Sequence, residues 1–128
     1  MKSITSVKKN NNQVSPSRTL RDYAAEIRAA EKSGEPFTNR RICQLWIEVH
    51  CAPPRSQRIN FEMTSEAYAH DVRRWAEALT GRHYVIEPGD FCFAAITGLR
   101  YAWEGFGEWK KLDAYYFAMY PRRGGMKA

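Results

Sequence analysis

No stretch of this 128-residue sequence approaches the ~20 consecutive apolar residues that a membrane-spanning helix needs. The opening residues, MKSITSVKKNNNQVSPSR, contain no apolar block of the kind a secretory signal carries. Cysteine is sparse and odd in number: Cys43, Cys51 and Cys92. Cys43 and Cys51 fall two turns apart on one expected helix, roughly 12 Å along its axis, too far to be bridged. With no disulfide framework, the expectation is a soluble protein of the reducing cytoplasm, without membrane contact. Cys-x-x-Cys and His-x-x-x-His pairs are absent, and neighbouring His50 and Cys51 would point about 100° apart on a helix. No metal site is expected. Neither G-x-x-x-x-G-K-[ST] nor G-x-G-x-x-G occurs, so no phosphate cradle or nucleotide cofactor is implied.

Acidic residues are missing from both ends. Residues 1–18 carry Lys2, Lys8, Lys9 and Arg18, and residues 122–128 carry Arg122, Arg123 and Lys127, with no acid in either stretch. The formal charge of +6 is therefore a property of the tails, and residues 19–121 sum to −1. A broad basic face on the body is not implied, although a segregated patch is still compatible with these numbers. The expected organisation is a disordered basic arm over 1–18, one helical domain over 19–121 and a flexible basic tail over 122–128.

What is present in quantity is apolar and aromatic residues, 44% and 13% of the chain, enough to fill one core. Thr19 and Asp22 form a capping-box pattern ahead of a helix whose Leu20, Tyr23, Ala24, Ile27 and Ala30 share a face, ended by Gly34 and Pro36. Thr38 is placed to cap a second helix with Ile42, Leu45, Trp46 and Val49 inward, stopped before Pro53 and Pro54. Thr64 caps a third, with Tyr68, Val72, Trp75 and Leu79 inward, and Gly81 closes it. Ile59 to Met63 and Tyr84 to Ile86 alternate or cluster as short strands would, and could pair into a small sheet.

The stretch from Asp90 to Tyr120 is the least polar of the chain. Asp90 is positioned to cap a buried fourth helix that runs through Phe91, Cys92, Phe93, Ala94, Ala95 and Ile96 and continues at helical spacing to Leu99, Tyr101, Ala102, Trp103 and Phe106. Gly105 and Gly107 then redirect the chain into a fifth helix, with Trp109, Leu112, Tyr116 and Met119 on one face and Pro121 at its end. The fold class is mainly α: a compact bundle of about five helices with at most a small two-stranded sheet.

Catalysis finds little support. Glu66 and His70 share a helix face, and a carboxylate can orient a histidine as a base, yet the sequence places no serine or cysteine nucleophile on that face with them. Charged pairs at that spacing are ordinary on solvated helices, and a non-enzymatic protein is expected. Arginines are more suggestive, because they occur as Arg40–Arg41, Arg73–Arg74 and Arg122–Arg123, with Arg55 and Arg58 in one loop. Their forked guanidinium groups match phosphate oxygens and guanine edges. The leading expectation is a small nucleic-acid-associated accessory or regulatory protein, DNA before RNA, contacting phosphate through these residues. The segment SGEPFTNRRICQLW resembles the start of a helix-turn-helix, although Ala52 to Met63 make the link to the third helix longer than the usual turn. That resemblance implies a groove-facing set of Ser65, Glu66, Tyr68, Ala69, Arg73 and Arg74. The alternative is a protein-binding adaptor or inhibitor of plasmid or phage type. It would use an exposed surface of Trp109, Tyr115, Tyr116 and Tyr120, residue types favoured at protein contacts.

Overall fold

The computed structural model describes residues 19–34, 37–54, 57–105 and 114–122. Among them are four α-helices: α1 (Leu20–Lys32), α2 (Thr38–His50), α3 (Ser65–Thr80) and α4 (Pro88–Cys92). The last continues as a π-helical turn, Phe93–Gly98, and two short strands follow, β1 (Trp103–Gly105) and β2 (Tyr115–Phe117). The mainly helical architecture with one small antiparallel sheet matches the expectation from sequence; the count of five helices and the location of the sheet do not.

Local signals account for the first three helices. Thr19 caps α1 through a reciprocal box, its hydroxyl accepting from the Asp22 amide at 3.3 Å while the Thr19 amide donates to the Asp22 carboxylate at 2.9 Å. Thr64 accepts from the Ala67 amide at the start of α3, and Gly81, at φ 75°, ends it in the left-handed conformation that costs glycine least. At α2 the cap position belongs to Phe37 rather than Thr38, which is already helical, and no side chain supplies a cap bond there. Cys51 ends α2 ahead of the two prolines, and all three cysteines are buried.

The core is aromatic at its centre. Tyr68 and Phe91 lie parallel, centroids 4.7 Å apart, and Trp46 and Phe117 meet Phe91 edge-on at 5.9 and 5.5 Å. These contacts join α2, α3, α4 and β2, so Phe91 touches one ring from each neighbour. Burial of such side chains contributes on the order of 1.5–3 kcal/mol each. The Tyr68 hydroxyl donates to the Met119 carbonyl at 3.4 Å. Buried Ser65 accepts the Tyr115 amide at 3.1 Å and so ties the start of α3 to β2.

Several expectations are corrected. Glu87, not Asp90, occupies the cap of α4; Asp90 is its third residue and accepts the Glu87 amide at 2.9 Å. The helix does not run on to Trp103, because Leu99 leaves the π-helical turn and Arg100 adopts φ 61°, reversing the chain into β1. Tyr115 to Phe117 is a strand and Met119 follows in irregular chain, so the Tyr116 and Met119 half of the expected fifth helix is absent. Three consecutive aromatic residues suit a pleated, half-buried surface better than a helix. Trp103 pairs with Phe117, Glu104 with Tyr116 and Gly105 with Tyr115. The two segments flanking α3 do not form a sheet with each other: Asn60 makes one bridge to Phe117, while Tyr84–Ile86 closes a tight turn through the Ile86 amide and the Tyr84 carbonyl. The groove-facing set also fails in part, since Ser65, Tyr68 and Ala69 are fully buried against the core and cannot meet a nucleic acid. The arm over 1–18, Phe106, Trp109, Leu112, Arg55, Arg123 and the tail beyond Arg122 lie outside the described residues.

Candidate protein-binding surface

The π-helical turn FAAITG adds a residue to its turn of backbone, a local widening that is frequent at functional sites. It turns Ala94 and Ala95 into the core and leaves Phe93 exposed and Ile96 half-buried toward the hairpin. Across from it, Gly105 permits a close approach: a Cβ there would come within 2.7 Å of the Tyr115 ring. Tyr115 thereby lies over β1 and stacks on Trp103, centroids 5.1 Å apart and planes 17° from parallel. Cys92, Phe93, Ile96, Thr97, Trp103 and Tyr115 line the resulting cleft of about 180 Å³.

The cleft is one end of a longer strip. Phe93 carries the Arg40 guanidinium 4.1 Å above its ring, and the same group lies 4.4 Å from the ring of Phe37. One residue away, Asn39 donates to the Val85 carbonyl at 2.8 Å, which brings Val85 to the same end of α2. Of the six large hydrophobic side chains exposed among the described residues, Phe37, Val85, Phe93 and Trp103 belong to this strip. No protein family, curated protein or solved structure matches the chain.

The sequence-predicted arginines are dispersed and partly engaged. Arg40 lies in the aromatic strip, and Arg41 pairs with Glu26 at 3.4 Å. Arg73 is half-buried, its Nε without a partner among the described residues, whereas Arg74 is exposed. Arg122 serves the last turn of α2, its amide donating to the His50 carbonyl at 2.8 Å and Nη1 to that of Val49 at 3.2 Å. Cations there satisfy orphan carbonyls and complement the helix dipole. Arg58 is exposed, and its carbonyl accepts the Tyr120 hydroxyl at 2.8 Å.

Of the expected aromatic set, Tyr115 joins the cleft, while Tyr116 packs on Phe61 at 5.2 Å and Tyr120 is exposed beside Arg58. Phe37, Val85, Phe93 and Trp103 were not singled out as binding residues by sequence reasoning. A signal for one of them was there: Phe91, Cys92 and Phe93 are consecutive, and steps of about 100° cannot bury all three on one face.

Burial holds the thiols neutral. Cys43 is pushed well above the ordinary thiol range by burial and then by Asp90, and Cys51 is pushed up to about 12 by burial against a smaller opposing pull from Arg122. Neither is a thiolate at neutral pH. Among the described residues no group of three or more His, Cys, Asp or Glu could hold a metal, and no helix is long and apolar enough to cross a membrane.

Proposed function

We propose that this protein is a small non-enzymatic binding module of adaptor or inhibitor type, and that the strip from Val85 and Phe37 through Arg40 and Phe93 to Trp103 is where a protein partner docks. The observation that carries this reading is the linkage of three exposed aromatic side chains, Phe37 and Phe93 through the Arg40 guanidinium and Phe93 and Trp103 through the cleft they line, with exposed Val85 held at the same end of α2. Scattered exposed hydrophobics need no explanation, but a joined set does. Trp, Tyr and Arg are also the residue types that dominate interface energetics. Two neighbouring rings restrain the Arg40 guanidinium in advance, which lowers the entropy lost when a partner acceptor meets it.

Nucleic-acid contact through arginines is a second reading, favoured by exposed Arg58 and Arg74 and by the grouping of Arg58 with Tyr120 near Arg122. One experiment separates the two. Wild type and the Phe93→Ala, Trp103→Ala and Arg74→Ala variants are immobilised and exposed to extract of the source cells at about 100 and about 500 mM salt, with gel shifts run beside them. The protein-binding reading predicts a partner held by wild type and Arg74→Ala at both salts and lost from Phe93→Ala and Trp103→Ala. A hot-spot loss of about 2 kcal/mol would weaken binding by a factor of about 30. Retention that vanishes at high salt or with Arg74→Ala, together with a gel shift, would replace it with the nucleic-acid reading.

A further inference from the structure

β2 is flanked on both sides, by β1 and by the Asn60 bridge, but β1 is flanked only by β2 among the described residues. The alternation of an antiparallel ladder shows which main-chain groups face the open side. Ala118 donates to the Ala102 carbonyl across the pair, whereas the Phe117 carbonyl accepts from Asn60 and the Tyr115 amide donates to Ser65, both away from β1. By the register, Trp103 and Gly105 sit opposite Phe117 and Tyr115, so their amides and carbonyls point outward from the open edge. All three residues of β1 are exposed, and no described residue hydrogen-bonds to Trp103 or Gly105 across that edge.

Resting on the protein-binding reading above, we infer that the partner is an extended peptide segment that adds to β1 as a third strand. Its central residue is Lys or Arg, flanked on both sides by apolar residues. The chemistry follows from the two faces of the hairpin. Successive residues of an added strand point to opposite faces. The residue opposite Glu104 lies on the outer face with that exposed carboxylate, where an opposite charge is the favourable cross-strand neighbour. Its two neighbours lie on the face of Trp103 and Gly105, toward the cleft. A volume of about 180 Å³ takes one ring-sized side chain, given that apolar cavities of about 150 Å³ accommodate benzene. Main-chain bonds would supply affinity and the alternating side chains selectivity, as in other cases of strand addition.

A second copy of this chain is the less fitting occupant. Antiparallel pairing of two β1 edges about their midpoint would set Glu104 directly opposite its own counterpart, and like charges in that position are destabilising.

A phage-displayed library of random peptides of about seven residues, enough for one strand, tests the inference against wild type and Glu104→Lys. The expected result is an apolar–basic–apolar consensus for wild type whose central position turns acidic with Glu104→Lys. N-methylation of the two apolar residues in a synthetic winner removes the donors facing β1 and should weaken binding about tenfold or more. Amide exchange at Trp103 and Gly105 should slow when the unmodified peptide binds. Enriched peptides that tolerate N-methylation, or whose charge preference ignores Glu104→Lys, would overturn strand addition and leave the protein-binding reading standing. Strand addition is overturned in the same way if no peptide is enriched while a cellular partner is still lost with Trp103→Ala. Failure of both experiments would remove the two readings together.

Discussion

Phe91 and Phe93 are two residues apart and have opposite fates, which makes them a matched pair for testing where the core lies. Phe91 is 0% exposed and contacts Trp46, Tyr68 and Phe117, whereas Phe93 is 43% exposed and meets the Arg40 guanidinium. Truncating a buried phenylalanine to alanine costs about 3–5 kcal/mol through lost transfer energy and the cavity left behind. Phe91 belongs in the upper half of that range, because three aromatic contacts are lost at once and each is worth roughly 0.5–1.5 kcal/mol beyond burial. That is a large share of a typical total of about 5–15 kcal/mol. Phe93→Ala gives up only part of its burial and one exposed cation–π contact, and about 1 kcal/mol is expected. Urea unfolding of both variants against wild type reads the difference as a shift in midpoint at unchanged slope. Equal costs, or a Phe91→Ala cost below about 1 kcal/mol, would refute an aromatic core centred on α4.

Alkali should unfold the protein progressively. Burial raises Cys51 and Tyr101 to about 12, and lifts Cys43, Tyr68 and Tyr84 as well. These groups hold their protons more tightly when folded, so stability is intact below about pH 9 and falls as the pH rises through the raised values. The slope is at most about 1.4 kcal/mol per pH unit for each group, and thermal melts at stepped pH would show it; a flat melting temperature up to pH 12 would contradict the burial. Thr19→Ala removes the hydroxyl that accepts the Asp22 amide and should cost about 1 kcal/mol in urea unfolding. Gly105→Val places a side chain where the Tyr115 ring lies. It should break the Trp103–Tyr115 stack, visible as lost near-ultraviolet dichroism from those rings, with helix content unchanged.

Legibility of the fold followed the range of the signal. α1 and α3 announce themselves within a turn of their ends, through Thr19 with Asp22 and through Thr64 and Gly81. Such caps are local hydrogen-bonding chemistry, and sequence order preserves them. β1 and β2 depend on pairing Trp103 with Phe117 across an intervening segment, a non-local event that apolar periodicity cannot register. Leu99, Tyr101 and Trp103 alternate with the period of two that suits a strand, a signal outweighed in the helical reading by the apolar run before it, and Arg100 reverses the chain between them. The same limit applies to the surface. Arginine pairs stand out in one dimension, but the Glu26 that engages Arg41 comes from α1, and the carbonyls that engage Arg122 come from α2. Tyr115 was visible as an aromatic to be explained; the contact of Arg40 with Phe37 and Phe93 required the fold.

Site-specific photo-crosslinking tests the binding surface most directly. A benzophenone amino acid replaces Phe93 in one preparation and Arg74, exposed on α3, in another, each irradiated in extract of the source cells. Docking on the aromatic strip predicts a discrete protein adduct from position 93, competed by unlabelled wild type but not by Trp103→Ala, and little from position 74. Adducts arising mainly from position 74, or consisting of nucleic acid, would contradict it.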